Sequence, residues 1–148
     1  MRKKEWLCLC VMLPVYLGGM CACSGGEADA KDLEGAWDVI EVKGEKVGDE
    51  EGMPQMNFDM EEKILYGNAG CNLFNTTFTL DLIDRSVIRI EPGLTTKMAC
   101  PHMELETKVL QTMDQVRAVK SGKNEQEICL VDEGGTVLFV LKREGSGI

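Results

Sequence analysis

The 148-residue chain has little histidine and few aromatic residues. It contains one histidine, His102, so any hydroxyl nucleophile has no other imidazole partner, and any metal site has no second imidazole ligand. Aromatic residues make up 5%. Acidic residues outnumber basic ones 25 to 16, and the net charge of −9 repels phosphate backbones and anionic head groups, which excludes nucleic acid as a partner. No apolar run reaches the ~20 residues of a membrane-spanning helix. There is no C-x-x-C pair outside the first residues and no internal repeat.

What is present begins at the N-terminus. Arg2, Lys3 and Lys4 precede an apolar run from Trp6 to Leu17, interrupted by Pro14, and small residues follow. This is the layout of an export signal. The end, MCAC followed by SGGEADAKD, resembles a bacterial lipoprotein signal, in which a small residue precedes the cysteine that is lipidated and becomes N-terminal. Ala22 before Cys23 suits that cleavage, whereas Met20 before Cys21 is too bulky. Cys23 is therefore the expected lipidation site, with residues 1–22 as signal peptide and 23–32 as lipidated cysteine and polar tether. Loss of residues 1–22 removes three basic residues and one acidic residue, deepening the charge from −9 to −11. The expected location is the cell envelope, lipid-anchored to the outer membrane on its periplasmic or surface face. Plain secretion is the alternative.

The remaining stretch, about 115 residues, suffices for one domain. LEGAWDVIEVKGEKVG predicts a first strand and a hairpin turn at Lys43-Gly44-Glu45. Met56–Asp59 and Lys63–Tyr66 are short strand candidates around the acidic turn Met60-Glu61-Glu62. Leu73–Leu82 and Ser86–Glu91 alternate apolar and polar residues, as strands do. Glu127–Val131 and Thr136–Leu141 flank Asp132-Glu133-Gly134-Gly135, a hairpin signal. One segment, MELETKVLQTMDQVRAV, instead spaces Leu105, Val109, Met113 and Val116 as an amphipathic helix over 103–119, with Glu104, Glu106, Lys108 and Gln111 on other faces. Leu105 and Val109 are its expected core residues. The predicted class is mainly β: a small antiparallel, barrel-like sheet with one packed α-helix.

Two passages carry a resemblance. YGNAGCNLFNTTF, followed by TTKMACPHMELETKVLQTM, resembles the META domain, also called the HslJ-like heat-shock lipoprotein domain. Its pattern is a glycine-rich turn ending in Gly-Cys-Asn, a strand, then Thr-Thr-x-Met-Ala-Cys leading into a helix. Gly70, Cys71, Asn72, Thr95, Thr96, Met98, Ala99 and Cys100 match in order, and Gly67 precedes them in the turn. The resemblance spans residues 33–143. It implies a β-barrel-like fold with one helix, and an association with envelope stress and antibiotic tolerance. It implies no catalytic residues. Cys129 lies outside the pattern, and within EICLV it reads as a small apolar core residue.

Cys71 and Cys100 sit beside turn residues and admit two readings. Export to an oxidising compartment favours a disulfide, which would contribute roughly 3 to 4 kcal/mol if unstrained; buried free thiols are the alternative. A zinc or copper(I) site from Cys71, Cys100 and His102 lacks a fourth ligand and a tight chelate spacing, so no metal or other cofactor is expected. Thr95 and Thr96 read as turn and capping residues rather than nucleophiles. Glu50-Glu51 and Glu61-Glu62 read as solvated loops, and Gly67–Gly70 lacks the lysine of a phosphate loop. The expected function is a non-catalytic binding or stress role, with an envelope protein or a small hydrophobic ligand as partner. A hydrolase or redox enzyme with a cleft at the barrel mouth, and a structural accessory module, are the competing classes. An open apolar barrel would favour ligand binding inside it; a filled one would favour an external surface.

Overall fold

The computed structural model describes residues 26–48, 52–101 and 103–145. Ten strands and one α-helix follow a 3-10 turn at Ala30–Leu33: β1 (Gly35–Val42), β2 (Glu45–Lys46), β3 (Gln55–Asp59), β4 (Ile64–Asn68), β5 (Leu73–Leu80), β6 (Ile88–Ile90), β7 (Leu94–Thr95), α1 (Met103–Met113), β8 (Ala118–Ser121), β9 (Glu127–Val131) and β10 (Val137–Arg143). The spatial order is β6-β5-β4-β3-β1-β10-β9-β8, and every pairing within it is antiparallel. The Ile88 amide donates to the Arg117 carbonyl at 3.0 Å and the Val119 amide to the Ser86 carbonyl at 2.8 Å, bringing the first and last strands together. The sheet thereby closes almost fully into the expected barrel, which removes its exposed edges.

Strand alternation directs Phe74, Thr76 and Phe78 of β5 inward and their neighbours outward. Phe58 and Phe78 meet edge to face at 5.8 Å, and Met56, Leu65, Ile88, Leu130, Phe139 and Leu141 fill the remaining interior. From α1 and the turn after it, Val109, Met113 and Val116 join the same core, while Leu105 is half-buried against it. A separate cluster of Cys129, Val131 and Val140, edged by Ile40, Ala118 and Val137, is also buried. Cys129 is thus a buried apolar strand residue, in this satellite cluster rather than in the main core.

Three departures from the sequence expectation bear on the architecture. The helix ends at Met113 instead of continuing to 119; Ala118–Ser121 pairs with β9 and completes the barrel. Strand β5 ends at Leu80 because the Asp81 carboxylate accepts from the Ile83 and Asp84 amides at 2.8 Å each and turns the chain, leaving Leu82 99% exposed. The stretch expected to be a polar tether is docked from Glu27 onward. Glu27 bridges Lys120, the Ala30 amide donates to the Arg85 carbonyl at 2.8 Å, and Ala30 and Leu33 are buried. Arg143 holds this segment from above, lying 4.3 Å from the Trp37 ring and donating to the Asp32 and Glu34 carbonyls.

Candidate functional site

The two motif halves meet around Asn72, which is 1% exposed. Its Oδ1 accepts from the Met98 amide at 2.7 Å and the Thr96 hydroxyl at 2.8 Å. Its Nδ2 donates to Glu106 Oε1 at 2.8 Å and the Met98 carbonyl at 3.2 Å. All four hydrogen-bonding positions of the amide are therefore used. The Asn72 backbone amide donates to Glu106 Oε2 at 2.8 Å, so one residue occupies both oxygens of a carboxylate that is 5% exposed. Thr96 adds a further link, since its hydroxyl accepts from the Leu73 amide at 3.1 Å and its own amide donates to the Leu73 carbonyl.

Cys71 and Cys100 form a disulfide across 29 residues, with Cα atoms 6.3 Å apart. It lies beside the Asn72 knot and fastens the same two chain segments. Both sulfurs are committed to each other, so in this oxidised form neither can act as a thiolate ligand. His102, the third member of the metal alternative, lies outside the described residues, as do Cys23 and the Glu50-Glu51 pair.

The glycines divide in role. Gly70 adopts φ +132° in the turn, where the Asn68 side chain accepts from its amide at 2.7 Å. Gly67 is not a turn residue: it lies within β4, and a β-carbon there would run into the Gln55 carbonyl of β3. Thr95 is an exposed residue of β7 and Met98 is likewise exposed, contributing to the knot through its backbone. Glu106 is the motif partner that sequence reasoning missed. Helical spacing puts it on a face other than that of Leu105 and Val109, yet it shares the buried face with Val109 and Met113. Its i, i+3 relation to Val109 was the available signal.

With the interior filled, concave surface is found outside the barrel. A groove of about 580 Å³ runs over the outer faces of β3, β4, β5 and β7. Asn57, Tyr66 and Asn75 lie side by side in it, as successive cross-strand partners. Leu73 and Leu94 form its apolar borders and are 59% and 82% exposed. The Asn72 knot lies directly beneath its Leu73–Thr96 end.

The META domain model matches residues 31–144. The chain belongs to the META domain family. The META fold is shared by solved structures of low sequence identity. A protein from Burkholderia xenovorans solved by NMR is 16% identical, with a TM-score of 0.63 over 90% of this chain and 99% of that one. A crystal structure of a DUF4847 family protein from Bacteroides vulgatus is 14% identical, with a TM-score of 0.53 over 78% of this chain and 96% of that one. No curated protein sequence matches the chain.

Proposed function

We propose that this META domain protein is a lipid-anchored component of the bacterial cell envelope that acts by binding through the outer groove, not by catalysis. The observation that carries the reading is the combination of a filled barrel with an external groove whose borders expose Leu73 and Leu94. The polar groups of the motif support it, because Asn72, Thr96 and Glu106 are spent on one another and brace the floor from which the groove rises. Attachment through Cys23 supplies the membrane contact: each buried methylene of an acyl chain contributes about 0.8 kcal/mol. Among the described residues no helix is long and apolar enough to cross a membrane. The envelope stress and antibiotic-tolerance role implied by the family resemblance would then be exerted through whatever the groove holds.

Affinity capture from native envelopes, with wild-type and Tyr66→Ala chains compared side by side, tests the binding reading. A protein or small molecule retained by the wild type and lost from the variant is expected. Identical recovery from both would sink the groove as the binding surface. Cys23→Ala should release the protein from the membrane fraction; unchanged membrane association would refute the anchor.

A further inference from the structure

The groove has a chemical character at odds with the rest of the molecule. Charged residues make up 28% of the sequence and the net charge is −9, yet among the described residues no charged one lines the groove. Amides take their place. In the first row across the sheet, Asn57 of β3 stands opposite Tyr66 of β4, which stands opposite Asn75 of β5. In the next row Gln55 stands opposite Asn68, and Asn68 opposite Leu73. The second-row amides are held in place: Gln55 Nε2 donates to Asp38 at 2.9 Å, and Asn68 Oδ1 accepts from Gly70. In the first row, the Asn57 and Asn75 amides and the Tyr66 hydroxyl have no hydrogen-bond partner among the described residues, so their donors and acceptors are open to a ligand.

These features select among ligand classes. Among the described residues that line the groove there is no cation to meet an anion and no carboxylate to meet a cation, and the nearby Asp38 carboxylate is already engaged by Gln55. A wholly apolar ligand would strip water from the amides and return no hydrogen bonds. A peptide could not add as a strand, because the groove lies on a sheet face whose backbone groups are already spent on the β3–β4–β5–β7 pairings. A neutral polyhydroxylated ring satisfies all the constraints. Its hydroxyls match amides that both donate and accept, and its apolar face covers a tyrosine ring. Three adjacent strands place Asn57, Tyr66 and Asn75 over about 10 Å, room for about two linked sugar rings.

We propose that the groove is a binding site for a neutral oligosaccharide, with Tyr66 as the stacking platform and Asn57 and Asn75 as the hydroxyl-reading groups. This rests on the groove reading above and names its ligand class.

The test is an array of neutral oligosaccharides, with oligogalacturonates as the anionic control, probed with the full lipidated chain in a zwitterionic detergent that carries no sugar. Any neutral hit is then titrated while the side-chain amide NMR signals of Asn57 and Asn75 are followed. Saturable binding that moves both amide signals is expected, weakened about tenfold or more by Tyr66→Ala and less by Tyr66→Phe. Tyr66 is 46% exposed, so its removal leaves the core untouched, and circular dichroism of the variant checks this. An array without neutral hits, equal binding of the anionic control, or binding insensitive to Tyr66→Ala each overturns the proposal. If such a negative is accompanied by Tyr66-dependent capture of a protein from envelopes, the groove reading stands and the saccharide alone falls. If capture is also insensitive to Tyr66, both fall.

Discussion

Asn72 and Glu106 illustrate how a buried polar residue can specify a fold. A buried amide is tolerated only when its donors and acceptors are paired, and Asn72 pairs all of its own while occupying both Glu106 oxygens. Asn72→Ala leaves the Glu106 carboxylate and the Met98 amide without their side-chain partner. A loss of about 3 kcal/mol in urea unfolding is expected, because orphaned buried groups cost more than the bonds they made. Glu106→Gln directs an NH2 group at one of two donors, and about 2 kcal/mol should go. The two substitutions act on one contact, so the double variant should lose clearly less than the sum. Full additivity would show that the knot is not a unit. The motif residues Asn72 and Thr96 were legible in the sequence, whereas their partner was not: a glutamate on an amphipathic helix reads as solvent-facing unless a buried donor awaits it, and that donor lies 34 residues away.

Among the elements, those with a strong local pattern were legible and those defined by closure were not. The alternation in β5 and the Asp132–Gly135 turn between β9 and β10 identify their strands without outside help. Strand β8 is four residues long, and its extended form comes from pairing with β9 and from meeting β6, so helical spacing through Val116 was misleading. Gly67 makes the same point. It looks like half of a turn, but β3 passes too close for any side chain. Gly67→Ala should destabilise the protein by about 2 kcal/mol or more, read as a lowered urea midpoint, because the β3–β4 pairing must spread. The β5–β6 turn supplies the contrasting case. Leu82 is 99% exposed and Ile83 is 95% exposed, so Leu82→Ser should change stability by no more than about 0.5 kcal/mol in the same measurement.

At the scale of the whole molecule, two constraints act on the closed barrel, one covalent and one electrostatic. The Cys71–Cys100 disulfide closes a loop across 29 residues and limits the unfolded chain. Its replacement by Cys71→Ala with Cys100→Ala should cost roughly 3 kcal/mol. Because the Asn72 knot holds the same segments independently, the doubly substituted protein should keep its native circular dichroism at room temperature. Of Cys71, Cys100 and Cys129, alkylation in denaturant before reduction should label Cys129 and neither partner of the bond.

The electrostatic constraint lies in two turns. Backbone amides of Asp84 and Ile83 hold the Asp81 carboxyl below the usual aspartate range, and the Thr136 amide does the same for Asp132. A carboxyl with a lowered folded-state pKa binds protons less readily in the native protein than in the unfolded chain. Its stabilising contribution is complete above the ordinary aspartate pKa of about 3.9 and is lost as pH falls from there through the lowered value. Stability should therefore decline on the acid side. The double variant Asp81→Asn and Asp132→Asn should flatten that decline, since an asparagine oxygen can still accept from the turn amides without titrating. Urea midpoints from pH 7 down to about pH 2 measure it directly, and an acid limb as steep in the variant as in the wild type would show that these turns do not carry the dependence.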